Sequence, residues 1–149
     1  MEEAIEAVKQ NYLSRLDSGE TERMMEFFSD DSVVFLGRTS FRGKDSIKQF
    51  FDEFCRRLAE RKHTLNDFKV KTSGDETKVS CNLSFSTRVV KTGETCKVES
   101  RDDLTLVSEG GRWAVKELAI SSLIPKTIVK HGLKNLGKLI RARGEFRFS

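Results

Sequence analysis

The spacing of the apolar residues changes along this chain, and that change most constrains how it can fold. Up to about residue 61 most of them recur every three or four positions, whereas from about residue 68 they alternate. A short apolar run from Val33 to Leu36 interrupts the first part and is predicted to be a strand. Helices followed by alternating segments predict an α+β domain with helices packed on one face of an antiparallel sheet.

Three helices are predicted in the first part. One carries Tyr12 on its apolar face and ends near Gly19, the usual stop residue. A short second helix is predicted at about 20–28, and a third at about 44–61, with several phenylalanines on its apolar face.

The glycine-containing turns of the second part predict the register of its strands. Two-residue loops at 92–93 and 110–111 would place Asp102 opposite Leu83 and Ala119. Asp102 then lies on the apolar face of the sheet, where a carboxyl group must find partners or shift its pKa upward. A purely structural role is the alternative, in which Asp102 is a satisfied carboxylate bonded to Tyr12 or to a backbone amide.

Glu117 has two interpretations. The predicted register carries it to the same apolar face, where it would be a second carboxylate and a potential base. Leu118 and Ile120 then face outward and form a dimer surface with Val107. A bulge near Lys116 would instead turn Glu117 outward and the two apolar residues inward.

The order of several short motifs resembles the NTF2-like superfamily, and within it the SnoaL-like, ketosteroid-isomerase-like domains. The resemblance covers residues 7 to about 122 and rests on Asp17-Ser18-Gly19-Glu20, residues 25–33, residues 41–47 and Gly110-Gly111-Arg112-Trp113. It implies a cone-shaped domain with a curved sheet and an apolar pocket at its mouth, commonly a homodimer through the sheet. The predicted ligand of this pocket is a small apolar molecule. The predicted lining residues are Phe35, Phe51, Phe54, Leu83, Phe85, Trp113 and Glu117, although packing in the core is the simpler role for the aromatic ones. Because this fold hosts isomerases, dehydratases, hydrolases and non-catalytic modules, it does not imply one reaction.

Two residues match the oxyanion hole of ketosteroid isomerase, which pairs a tyrosine on the first helix with a protonated aspartic acid on the sheet. Tyr12 and Asp102 occupy these positions and are the predicted catalytic residues. Leu36 stands where that family has its general base, so steroid isomerisation itself is not predicted.

The remaining ligand-type residues suggest no metal or other cofactor. His63 and His131 are expected to be exposed, and no metal-ligand spacing is present. The three cysteines fit reduced thiols. The first residues form neither the basic nor the apolar part of a signal peptide, and we expect a cytoplasmic protein.

The positive charge is concentrated at the C-terminus. The net charge of the whole chain is +4, but residues 125–149 hold seven basic residues and one acid, which leaves −2 for the rest. We therefore predict a domain at 1–124 and a basic amphipathic helix at 125–149. Its most regular cations are Lys126, Lys130, Lys134, Lys138 and Arg141.

Three roles are open for this basic segment. Its apolar side chains can pack on the domain or on a dimer mate and leave the lysines in solvent. Alternatively, the lysines bind an anionic membrane surface or an acidic partner protein. Nucleic acid is the weaker prediction, because no aromatic stacking residue is interleaved with the lysines.

Overall fold

The computed structural model of the protein describes residues 2–122, which form three helices and one six-stranded sheet. Helix α1 has three contiguous parts, Glu2–Val8, the π-helical Lys9–Ser14 and Arg15–Asp17. Helix α2 is Thr21–Met24 and continues into a 3₁₀ turn, Met25–Phe27. Helix α3 is Lys44–Arg57. The predicted helix at 125–149 lies outside the described residues.

The six strands form one sheet in the order β2-β1-β6-β5-β4-β3. Their bounds are β1 Phe28–Leu36, β2 Thr39–Arg42, β3 Leu58–Ser73, β4 Glu76–Val89, β5 Thr95–Glu109 and β6 Arg112–Ser122. Neighbours pair antiparallel except β1 and β6, which are parallel. The predicted NTF2-like α+β fold, helices on a curved sheet, is thus confirmed; the parallel pair was not predicted.

The core lies between the helices and the inner face of the sheet. It is continuous from the first helix to β6, and its largest fully buried side chains include Tyr12, Phe50, Phe51, Leu104 and Leu118. Burying such side chains is the main driving force for the fold, at about 1.5–3 kcal/mol each.

The β4–β5 connection differs from the predicted two-residue loop. Strand β4 ends at Val89 and β5 begins at Thr95, so five residues connect them. The loop is closed by hydrogen bonds of its own, from Gly93 N–H to Val89 O and from Val89 N–H to Glu94 O. Asp102 therefore lies opposite Cys81 and not Leu83. A slip of two residues keeps every side chain on its predicted face, so Asp102 still points inward.

The end of α3 was also placed wrongly. The predicted helix extended to about residue 61, but β3 begins at Leu58, which pairs with Val89 of β4. Residues 58–61 have good helix propensity, and pairing with β4 overrides it.

Candidate active site

A small cavity lies between α1, α3 and the inner face of the sheet, with a volume of about 50 Å³. Its walls are apolar: Leu16, Leu36, Phe51, Phe54, Phe85, Val98 and Ile120. Four polar side chains also line it: Tyr12, His63, Ser100 and Asp102. Because a water molecule takes up about 30 Å³ in the liquid, the cavity as it stands has room for one or two waters. The partly exposed residues Leu36, Phe54 and Ile120 form its rim.

Tyr12 and Asp102 form a buried pair in this cavity. The Tyr12 hydroxyl donates a 2.7 Å hydrogen bond to Oδ2 of Asp102, and the two residues are 1% and 2% exposed. The other carboxyl oxygen, Oδ1, is buried and has no hydrogen-bond partner among the described residues. An unpaired buried oxygen is costly, so this atom is suited to bind a water molecule or a ligand.

Burial sets the protonation of this pair. It raises the pKa of Asp102 to about 6, although the Tyr12 hydrogen bond and nearby His63 act in the opposite direction. Burial and the adjacent carboxylate also raise the pKa of Tyr12 well above its ordinary value. At about pH 6 the carboxyl group is therefore half protonated, and the tyrosine keeps its proton. The pair can donate a hydrogen bond to an oxygen of a bound molecule.

His63 and Asp17 form a second pair at the same cavity. Nδ1 of His63 lies 2.6 Å from Oδ1 of Asp17, and the backbone N–H of His63 donates a 2.7 Å hydrogen bond to Oδ2. Because a carboxylate only accepts, the ring carries its hydrogen on Nδ1 and leaves the Nε2 lone pair available. No described residue binds Nε2. An imidazole held in one tautomer by a carboxylate is the arrangement of a general base.

The expectation that His63 is exposed is wrong. Its side chain is 7% exposed, and its ring stacks on Phe85 with centroids 4.3 Å apart. His63 lies opposite Phe85 in the β3–β4 register, so its side chain shares the inner face. Sequence reasoning missed this because it began the strand that corresponds to β3 near residue 68, and β3 begins at Leu58. Alternation traced back from Leu65 would have indicated an inward His63.

The local structure brings each polar group to the cavity. Tyr12 lies in the π-helical part of α1, and Asp17 is the last residue of that helix. His63 follows an irregularity in β3 between Ala59 and Lys62. Asp102 projects from the middle of β5, opposite Ile120 of β6 and not Ala119, because an irregularity in the β5–β6 register shifts the pairing by one residue.

The predicted lining residues divide into two groups. Phe51, Phe54 and Phe85 line the cavity, whereas Leu83 is buried in the adjacent core and does not line it. The others lie elsewhere: Phe35, Trp113 and Glu117.

Glu117 is exposed because a bulge at Lys116, between the pairs Leu106–Val115 and Thr105–Glu117, turns it to the outer face. Of the two interpretations of Glu117, the bulge is the one observed. Leu118 is consequently buried and Ile120 lines the cavity, so these two do not form an outward dimer surface.

Phe35 lies next to Ala119 on the outer face, while its neighbour Leu36 lines the cavity. Trp113 lies near the tip of the β5–β6 hairpin and borders surface grooves with Arg112 and Glu26.

Neither a metal cluster nor a disulfide is found in residues 2–122. They contain no group of three or more His, Cys, Asp or Glu side chains placed to hold a metal ion. Cys55, Cys81 and Cys96 are thiols, as expected, and are not joined to one another. Over the same residues, no helix is long and apolar enough to cross a membrane.

The curved sheet, the covering helices and the polar groups between them define an NTF2-like domain with an internal site. The chain belongs to the SnoaL-like domain family, which matches residues 1–119. The comparison with curated proteins finds no match.

Several solved structures share the fold. A ketosteroid isomerase-like protein from Erwinia carotovora atroseptica has 20% identity and a TM-score of 0.70, over 81% of this chain and 95% of that one. The dehydrochlorinase LinA-type3 from Novosphingobium barchaimii has 14% identity and a TM-score of 0.73, over 82% and 86%. An NTF2-like protein from Salmonella enterica has 14% identity and a TM-score of 0.75, over 87% and 95%.

Proposed function

We propose that this protein is an acid–base enzyme that acts on a small, neutral, largely apolar molecule carrying an oxygen. The observation that supports this most is the convergence of two oriented pairs, Asp17–His63 and Tyr12–Asp102, on one apolar cavity. A base and a hydrogen-bond donor facing one site are the minimum that proton abstraction next to an oxygen-bearing carbon requires.

The roles follow from the geometry. Nε2 of His63 takes a proton from carbon, and Asp17 stabilises the imidazolium that forms. Protonated Asp102 donates a hydrogen bond from Oδ1, its free oxygen, to the substrate oxygen, where negative charge develops, while the Tyr12 hydroxyl holds Oδ2 in place. Returning the proton to another carbon gives isomerisation. Protonating a hydroxyl as it leaves gives dehydration, with water as the second product.

The names of the structural neighbours agree with this chemistry. One is a dehydrochlorinase and another is ketosteroid isomerase-like. At their level of identity they support the fold, and the reaction rests on the residues of this chain.

The substrate class is set by the walls of the cavity. No lysine or arginine of the described chain lines it, so nothing there neutralises a carboxylate or phosphate of a substrate. The present volume suits one or two water molecules. A substrate therefore requires the rim residues Leu36, Phe54 and Ile120 to move outward.

Exchange of the α-hydrogens of butanone for deuterium, followed by NMR, tests this proposal. Butanone is neutral and small and needs only the proton-abstraction step. We expect the full chain to accelerate the exchange, and His63→Gln to lower the rate by about 100-fold or more. Asp17→Asn leaves the imidazole unoriented and should give an intermediate loss.

Glu117→Gln is the matched control, because Glu117 is exposed on the opposite face of the sheet. Equal exchange rates for wild type and His63→Gln would show that no base acts in this cavity. The protein would then be a non-catalytic module.

The basic segment supports a second proposal, independent of catalysis. We propose that residues 125–149, with a net charge of +6, direct the protein to an anionic membrane surface or to an acidic partner. The homodimer and the cytoplasmic location stay predictions.

A further inference from the structure

Arg61 joins three elements that surround the Asp17–His63 pair. Its Nε donates to Leu16 O at 3.0 Å and its Nη2 to Asp17 O at 3.3 Å, both at the C-terminus of α1. Its Nη1 donates to Cys55 O at 3.1 Å and to Leu58 O at 2.6 Å, at the end of α3 and the start of β3. One guanidinium group therefore binds four carbonyl groups.

These carbonyls include helix-end groups that lack partners within their own helices. A cation at a helix C-terminus also interacts favourably with the helix dipole. No carboxylate among the described residues forms an ion pair with Arg61. Its contacts are therefore with the backbone that carries Asp17 and His63.

The backbone around Arg61 is shaped for this contact. The β3–β4 register shifts between Ala59 and Lys62, and Glu60 within this bulge has a φ of 52°, unusual for a residue other than glycine. On the helix side, Gly19 has a φ of 77°, and a Cβ there would lie 3.0 Å from Nη2 of Arg61. A strained residue on one side and a glycine on the other let the guanidinium reach the end of α1.

We propose that Arg61 is the positioning residue of the Asp17–His63 pair. Asp17 is the last residue of α1, and His63 follows Arg61 by two positions. By tying the α1 terminus to the first residues of β3, Arg61 fixes the carboxylate relative to the imidazole. This inference rests on the proposed function for its catalytic meaning. The effect of Arg61 on the Asp17–His63 contact is tested without an activity assay.

The test is an NMR measurement of the His63 ring in the full chain. The sequence has two histidines, so His131→Asn assigns the ring signals. In the wild type we expect a slowly exchanging Nδ1–H resonance, because Asp17 accepts this hydrogen, and a single tautomer with bare Nε2. In Arg61→Ala the Nδ1–H resonance should be lost and both tautomers should be populated.

Arg61→Lys keeps the charge but lacks the planar fork that reaches four carbonyls, so it should also lose the resonance. If Arg61→Ala does not fold, Arg61→Lys decides whether Arg61 positions the Asp17–His63 pair. Arg88→Ala is the matched control, because it removes an exposed arginine that contacts the same bulge through Glu60. It should keep the Nδ1–H resonance.

Retention of the Nδ1–H resonance in folded Arg61→Lys would overturn the inference, whatever its effect on thermal stability. A purely structural arginine would lower the melting temperature and leave the tautomer unchanged. Failure of the proposed function looks different: the wild type would show the Asp17-bonded tautomer and yet leave butanone exchange unaccelerated.

Discussion

The ionisation of Asp102 shows how burial turns a common side chain into a reactive one. The residue is 2% exposed, and one of its two oxygens has a described partner, the Tyr12 hydroxyl. Burial therefore shifts its pKa upward to about 6, against the opposing effect of Tyr12. A carboxyl group with this pKa exchanges protons near neutral pH, as a general acid must.

This pKa predicts a pH-dependent cost in stability. The native carboxyl binds its proton more tightly than the unfolded one, so the free energy of unfolding falls as pH rises from about 4 to about 6. The full cost, about 3 kcal/mol, is present above pH 6. Relative to Asp102→Asn, the wild type should lose most of this amount, about 2.4 kcal/mol, between pH 4 and pH 7, measured by urea unfolding.

Tyr12→Phe provides a directional check on that prediction. It removes the hydrogen bond that lowers the pKa of Asp102, so the decline should extend to higher pH. A wild-type minus Asp102→Asn difference that stays constant with pH would contradict a buried, titrating carboxyl group.

At the scale of elements, irregularities in the strands decide which side chains reach the site. The bulge at Lys116 reverses the facing of β6 after Val115, which exposes Glu117 and buries Leu118. The bulge in β3 lets Arg61 turn onto the helix ends. Without these two irregularities the same strands would present a different set of groups to the cavity.

The β6 bulge predicts opposite outcomes for two adjacent alanine substitutions. Leu118→Ala should lower the free energy of unfolding by about 2–5 kcal/mol, because it leaves a hole in the core. Glu117→Ala should change it by less than about 0.5 kcal/mol, because the side chain is in solvent. Chemical denaturation of both variants is the measurement. A large loss in Glu117→Ala would mean that Glu117, and not Leu118, faces inward.

At the scale of the whole molecule, charge and chemistry are separated along the chain. The cavity and its four polar groups lie within residues 2–122, whereas the excess positive charge lies in 125–149. The rest of the chain carries −2. Attraction to anionic surfaces is therefore expected from the C-terminal segment and not from the domain.

Vesicle binding tests this separation in the full chain. We expect sedimentation with vesicles that contain phosphatidylserine and not with phosphatidylcholine vesicles, and a loss of binding at high salt. A variant with glutamine at Lys126, Lys130, Lys134 and Lys138 should bind more weakly, by about 1 kcal/mol per lysine. Butanone exchange by this variant is the control and should be unchanged. Equal binding by both proteins would exclude electrostatic attachment through these four lysines.

The sequence by itself determined the fold class and half of the site. The helical and alternating patterns are local. The face of the sheet on which Asp102 lies changes only when the register shifts by an odd number of residues, so the error of two residues did not affect it. The inward position of Tyr12 was predicted from another local pattern, the apolar face of its helix.

Tertiary structure alone decided the other half. Asp17 and His63 are 46 residues apart and meet because α3 stops at Arg57 and β3 begins at once with a bulge. Strand pairing overrides helix propensity there, and a bulge leaves little local signature in sequence. The facing of Glu117 was undecided for the same reason, since one extra residue in a strand reverses every side chain beyond it.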